Sequence, residues 1–320
     1  MKTTVGLGLG NTYDSAFGAL SLVRDSFEEL VAVKRAKTVL LKANWVNFRE
    51  DWLPITSVDT LRAAIDFIDS VGDFEITVGD AAPEKRFLRQ ADYGALEKER
   101  KNVKVIDAAG GGCSFGFKAM TASGMREIFY YDVFLKPDIL FSVAKMKTHN
   151  VFANTLSLKN VAIGCAKNDN KIFFHGITGE GKGSEADYLE VKAMINRNFV
   201  KGSEFMYPDF CLIDGTCGME GNGPVEGSHI DFGLSLSSGD PLSADMVATE
   251  IMGFSVGEIP YLDILRDKYV PEITVKGGDP ESFTKKARPH SSYCPSPEVK
   301  NKVLSIDPEI MLKSEKRLII

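Results

Sequence analysis

Apolar residues fall along this chain in short runs separated by longer segments of helical spacing. Thr3 to Leu9 alternates Val5, Leu7 and Leu9 with glycine and predicts a strand. Asp14 or Ser15 is placed to cap a helix running to about Val31. Thr38 to Lys42 (TVLLK) is the kind of run that is buried on both faces of a sheet. Val58 to Val71 repeats Leu61, Ala64, Ile65 and Ile68 at helical intervals, and Phe74 to Val78 is a strand closing on Gly79-Asp80. Further strands are predicted at Val103 to Ile106, Ile139 to Ala144, Phe210 to Ile213 and Phe232 to Leu236. Helices are predicted around Glu185 to Asn196, Ser243 to Met252 and Ile259 to Asp267.

Strands alternating with amphipathic helices predict an α/β fold, a mainly parallel sheet with helices on both faces. It forms either one elaborate domain or two lobes around a cleft. From about Lys276, Gly277, Gly278, Pro280, Pro289, Pro295 and Pro297 break the pattern. Residues 1–275 are therefore read as the α/β core carrying the cleft, and 276–320 as a C-terminal extension packing back on it. Ile310 to Ile320 regains apolar character and is expected to return as a helix and strand.

Ligands of open parallel sheets bind beyond the carboxyl ends of the strands. Those ends are polar or glycine-rich here: Gly8 to Thr12, Lys42-Ala43-Asn44-Trp45, Gly79-Asp80, Lys145 to His149, Asp214 to Glu220, and Asp240. In a parallel sheet they converge on one rim. The Gly6-Leu7-Gly8-Leu9-Gly10 run lacks both the GxGxxG spacing and the GxxxxGK[ST] motif, so its glycines are read as letting the strand approach a neighbour closely. No nicotinamide cofactor is expected. Asp240-Pro241 is read as the N-cap and first residue of a helix, whose dipole Asp245 would favour.

The chain has 320 residues, 44% hydrophobic and 26% charged, enough for a large core. Its net charge of −6 gives the whole molecule no electrostatic case for nucleic acid or an anionic membrane, so any positive site is a local pocket. Met1 to Gly10 lacks the pattern of a secretory peptide, and no apolar run approaches the roughly 20 residues of a membrane span. Cys113, Cys165, Cys211, Cys217 and Cys294 are odd in number and scattered, which argues against a zinc ribbon, a local cluster or a disulfide scaffold. Most are read as small buried hydrophobes, and a reducing cytoplasm is the expected location.

Within this acidic chain, Phe141 to Gly176 gathers Lys145, Lys147, His149, Lys159, Asn160 and His175, with Asp169 and, just beyond it, Glu180 as the few opposing acids. An extended Lys145 to Asn150 puts Lys145, Lys147 and His149 on one side. Such a pocket suits a carboxylate or phosphate, and histidines beside lysines are held neutral near pH 7. Lys42, ending an apolar strand, either acts in catalysis or pairs with Asp80 across the rim. In the loop from Asp214 to Pro224, Asp214 and Glu220 offer acids, and glycines such as Gly221 and Gly223 let backbone N–H groups approach an anion; an ordered turn is the alternative.

These residues also carry a resemblance. Lys42-Ala43-Asn44, Ser142 to His149, Ser157-Leu158-Lys159-Asn160, Phe174-His175-Gly176, Ile213-Asp214-Gly215, Met219 to Pro224, Gly239-Asp240-Pro241 and Ala244-Asp245 resemble the core pattern of the prokaryotic domain-of-unknown-function family numbered 362. The likeness runs from about Lys42 to Tyr261. Many relatives carry ferredoxin-like cysteine motifs for iron–sulfur clusters; this chain lacks them, and no such cluster is expected here.

The expected function is acid–base enzymology of the isomerase, racemase or lyase type on a small anionic substrate. His149, His175, Lys42 and Lys145 are assigned to catalysis. Asn44, Asp80, Lys147, Lys159, Asn160, Asp214, Glu220, Gly221 and Gly223 are assigned to substrate binding. Three alternatives stand beside it: a redox or iron–sulfur-linked accessory protein, a divalent-metal site built from His149, His175 and a carboxylate, and a non-enzymatic anion-binding module. A homo-oligomer is compatible with all of them.

Overall fold

The TVLLK run is buried from Val39 to Lys42 because it lies inside a large sheet with cores on both faces. The computed structural model describes residues 2–46, 49–81, 92–176 and 188–312. The start of the helix predicted at Glu185 and most of the predicted C-terminal return lie outside them.

The strands are β1 (Lys2–Leu9), β2 (Thr38–Lys42), β3 (Glu75–Asp80), β4 (Val103–Asp107), β5 (Cys113–Thr121), β6 (Gly124–Tyr131), β7 (Ile139–His149), β8 (Ala153–Thr155), β9 (Phe210–Glu220), β10 (Ser228–Ile230), β11 (Leu234–Ser238) and β12 (Glu272–Lys276). The helices are α1 (Thr12–Ser21), α2 (Arg24–Lys34), α3 (Val58–Asp69), α4 (Gly94–Glu99), α5 (Ser157–Ala162), α6 (Lys171–Phe174), α7 (Tyr188–Phe205), α8 (Pro241–Ile251), α9 (Pro260–Tyr269) and α10 (Glu298–Ile306). The main sheet runs β12-β1-β11-β9-β7-β2-β3-β4, with β8 on β7 and β10 on β9; β5 and β6 form a separate hairpin.

Along the main path only β11 is reversed: it is antiparallel to both β1 and β9, and every other neighbouring pair is parallel. The ends of β2, β3, β7 and β9 therefore do converge. Asp240 does not, because reversed β11 delivers it to the opposite edge. There it caps α8, accepting from the Ser243 N–H, and Pro241 takes the first turn as expected.

Alternation along β7 shows why the sheet is covered twice. Ile139, Phe141 and Val143 join a core with α1, α2 and α3, whereas Leu140, Ala144 and Met146 join a core with α5, α7, α8 and α9. In the first core Phe27 meets Phe210 and Phe67 at centroid separations of 5.1 and 5.3 Å. In the second, Phe199 packs edge-on against Tyr261 at 4.3 Å. Each such ring contributes about 1.5–3 kcal/mol by burial.

Some local expectations are corrected. The predicted helix from Asp14 to Val31 is two, α1 and α2, broken at Leu22-Val23, and the cap of α1 is Asn11, whose side chain accepts from the Asp14 N–H. Only Cys165 and Cys211 are buried; Cys113 and Cys217 are partly exposed and Cys294 is exposed. The segment after Lys276 follows β12, the edge strand beside β1, and its α10 packs on α7. Among the described residues, no helix is long and apolar enough to cross a membrane.

The glycines of β1 serve close packing, as their spacing implied. A Cβ on Gly8 would stand 1.9 Å from the Ser15 carbonyl oxygen, and one on Gly6 2.5 Å from that of Ala19. The α1 backbone lies directly on the strand and has no side chain to move aside. Gly8→Ala is therefore expected to lower stability by about 1–3 kcal/mol or more, read as a lower urea midpoint; an unchanged midpoint would mean that α1 does not sit on β1 in this way.

Candidate functional site

Register places the first two residues of the site. Lys42 ends β2 opposite Gly79 of β3, and Asp80 follows Gly79 at the same rim. The Lys42 amine reaches Asp80 Oδ1 at 2.7 Å and donates to the Ala43 carbonyl at 2.7 Å and to Asn160 Oδ1 at 3.3 Å. Of the two roles expected for Lys42, the ion pair is formed. Asp80 also accepts from the Trp45 and Ala81 N–H groups, both at 2.7 Å. Space for the lysine depends on Gly164, where a Cβ would stand 2.8 Å from Lys42 Nζ.

Asn160, on α5, ties the rim together. Its amide donates to the Lys42 carbonyl and to Ser142 Oγ, and its oxygen also accepts from Asn44 Nδ2 at 2.9 Å. Asn44 in turn accepts from Lys147 Nζ, which also donates to the Pro54 carbonyl at 2.7 Å. The position of α5 is set from behind by Asp245, whose buried carboxylate oxygens accept from the Ser157 and Leu158 N–H groups at 2.8 and 2.9 Å. Asp245 thus serves a different helix from its own, and burial pushes its pKa up to about 8 against the pull of those two donors.

The result is a cleft of about 440 Å³ whose lining, among the described residues, includes Lys42, Lys147, Lys159 and Lys171 but only one carboxylate, Asp80. Burial and the neighbouring Lys159 hold the Lys147 amine well below the ordinary lysine value. Burial, reinforced by Lys171, brings Lys159 down to about 7. Lys171 is lowered by burial as well, but Asp80 and Asp107 oppose the shift. Among the described residues Lys159 Nζ has no hydrogen-bond acceptor or carboxylate partner; it stands 5.6 Å from the centroid of the Phe152 ring. Thr155 Oγ1, on the cleft wall, is likewise buried without a partner among the described residues.

Phe152 gathers the histidines, with His149 at 5.5 Å and His175 at 6.1 Å between ring centroids; the two rings lie behind Lys159 and are not themselves among the residues lining the cleft. His149 Nδ1 accepts from the Val151 N–H at 3.1 Å. Burial, then Lys159 and His175, hold its pKa well below normal, so the neutral ring carries its proton on Nε2 and presents a donor. Burial and Lys159 lower His175 to about 4.

Other expected site residues lie elsewhere. Lys145 does not share the cleft of Lys147. The β7–β9 register jumps from Lys145 opposite Asp214 to Lys147 opposite Met219, and Lys145 faces a second cavity of about 360 Å³ with Cys217 and Tyr93. Its amine pairs with Asp214 Oδ2 at 2.9 Å. Burial pushes the Asp214 carboxyl up, but Lys145 and the Thr216 hydrogen bonds outweigh it and hold it below its ordinary value. Glu220 accepts from the Arg288 N–H at 2.9 Å, outside the cleft lining. Gly221 and Gly223 spend their N–H groups on the Arg288 and Gly221 carbonyls, which is the ordered-turn alternative; the adjoining Pro224 supplies part of the cleft wall. Lys171 and Thr155 were not singled out from the sequence. Among the described residues no group of three or more His, Cys, Asp or Glu side chains is placed to hold a metal ion, so His149, His175 and a carboxylate are not assembled as ligands.

The family model described as Domain of unknown function (DUF362) matches residues 39–250, which contain the whole cleft lining. The chain belongs to that family. A thylakoid-associated protein of Synechocystis sp. is 28% identical over 123 residues, covering 38% of this chain and 35% of that protein. The chain thus matches about a third of that relative's length. Among solved structures, the lactate racemase apoprotein from Thermoanaerobacterium thermosaccharolyticum superposes with a TM-score of 0.50 at 13% identity, covering 80% of this chain and 57% of the other. That likeness is one of α/β fold.

The Lys42–Asp80 pair is buried on both sides. Asp80→Ala, which leaves Lys42 enclosed without its carboxylate, is expected to cost about 3–5 kcal/mol. Adding Lys42→Met should recover much of that loss in chemical denaturation. Strictly additive losses in the double variant would show that the two residues are not energetically coupled.

Proposed function

We propose that this protein is an enzyme performing acid–base chemistry of the isomerase, racemase or lyase type on a small molecule bearing a carboxylate or phosphate. The observation that carries this reading is the charge imbalance of the cleft: among the described residues four lysines share it with one carboxylate, and that carboxylate is already paired with Lys42. An anionic ligand relieves the remaining amines of one another's repulsion and of their lost hydration. Lys171, which two aspartates favour in its charged form, is the natural partner of the anion, and the unpartnered Thr155 hydroxyl is a second handle.

The histidines divide the proton work. His175 is neutral at pH 7 and able to accept a proton. His149, with its proton on Nε2, donates to an oxygen on which negative charge grows in the transition state. Lys159, brought down to about 7, changes charge in the range where the enzyme would operate. The fold shared with the lactate racemase apoprotein supports a small carboxylate as the substrate class. Its low identity leaves the reaction to be argued from the cleft.

Two readouts test this together. Affinity for a carboxylate probe such as pyruvate, measured by calorimetry, should rise as pH falls through about 7, because protonation of Lys159 adds a positive charge to the cleft. That rise should be absent in Lys159→Met. In deuterated water, a panel of small carboxylates and phosphates should include one that exchanges a carbon-bound proton, followed by NMR and slowed about 100-fold or more by His175→Ala. Binding without exchange by any member would mark the protein as an anion-binding module and overturn the enzymatic reading.

A further inference from the structure

His175 presents a chemical difficulty. A group brought down to about 4 is too weak a base to take a proton from an ordinary carbon beside a carboxylate. Such a base works only where the carbon has been made acidic by an electron sink. The cleft contains one residue able to create that sink.

We propose that Lys159 is the covalent centre of the cleft, its amine condensing with the carbonyl of a 2-oxo acid to form an imine. The inference rests on the anion-binding reading of the same cleft and narrows its substrate class to 2-oxo carboxylates. Geometry separates Lys159 from the other amines. Lys42 is committed to Asp80, Ala43 and Asn160, and Lys147 to Asn44 and Pro54. Lys145 is committed to Asp214 in the other cavity. Only Lys159 and Lys171 line the cleft without an acceptor among the described residues.

Lys171 has Asp80 and Asp107 to support its charge, which suits it to hold the carboxylate of the substrate. Lys159 has the Phe152 ring and the cationic Lys171 near it, with no carboxylate partner among the described residues, so its amine is available in neutral form near pH 7. Desolvation beside another cation is a recognised way of activating a lysine toward carbonyl groups. The Asp245 contact that fixes the first turn of α5 fixes the backbone from which Lys159 extends.

The step balances without an external oxidant or reductant. The amine lone pair forms a C–N bond to the carbonyl carbon, and a proton passes from nitrogen to oxygen. The C–O bond then breaks with a second proton, water leaves, and a protonated imine remains. That cation draws electrons from the adjacent carbon, whose proton passes to His175 with the electron pair held as an enamine. Return of the proton to the other face, or loss of a leaving group from the enamine, gives the isomerase and lyase outcomes respectively.

The test is reductive trapping of the full-length protein with borohydride in the presence of pyruvate, 2-oxobutyrate, 2-oxoglutarate or glyoxylate, followed by peptide mass mapping. At least one acid should leave a stable secondary amine on Lys159. The adduct should be lost in Lys159→Met and formed in Lys171→Met at raised acid concentration. No adduct with any of the four, or an adduct confined to another lysine, overturns the proposal. Calorimetric binding of pyruvate to the same preparations distinguishes the two levels: binding without trapping rejects the imine and leaves the anion cleft standing, whereas absence of both rejects the anion cleft as well.

Discussion

Removing a lysine ammonium from water costs several kcal/mol, and the Lys42–Asp80 ion pair is where this cleft meets that cost with a carboxylate. The rest of the site is arranged around the pair. Parallel β2 and β3 end side by side, so Lys42 and Asp80 meet at one rim. Asp80 then fixes the chain on either side through the Trp45 and Ala81 N–H groups, and Asn160 fastens α5 to the end of β2. Because Asp80 is already engaged, Lys147, Lys159 and Lys171 shape the field of the cleft by repelling one another.

That repulsion sorts the amines into different kinds. Lys171 is lowered by burial but keeps Asp80 and Asp107 in its surroundings to oppose that shift, whereas Lys159 has a benzene ring and a cation around it and comes down to about 7. One cleft thereby holds a cation suited to fixing an anion and an amine suited to reacting. The same field, together with burial, keeps both histidines uncharged. Burial comes first, and positive charge reinforces it at Lys147, Lys159 and both histidines.

The parts of this arrangement set by local pattern were legible in the sequence. Short apolar runs ending in polar residues located β2, β3 and β7, and from them Lys42, Asp80 and Lys147 at one rim. What failed depended on long-range geometry. Nothing in Leu234 to Ser238 says that the strand runs backwards, yet its direction removes Asp240 from the rim. The extra residues of β9 between Asp214 and Met219 divert Lys145 to a second cavity, although its spacing from Lys147 promised a shared face. Lys171 lies on a four-residue helix too short to show periodicity. The β5–β6 hairpin went unseen because Phe115 and Met125 remain exposed, so its pattern lacks a clean buried face. Asp245 caps a helix 88 residues away in the chain, a pairing that only the folded structure brings together.

The central claim is that burial, reinforced by the neighbouring Lys171, brings the Lys159 amine down to about 7, so that a large share of it is neutral at physiological pH. An NMR pH titration of protein carrying isotopically labelled lysine side chains tests it most directly. The account predicts one resonance, absent from Lys159→Met, that titrates at about 7. A Lys159 resonance titrating near the ordinary lysine value of about 10.4 would contradict it.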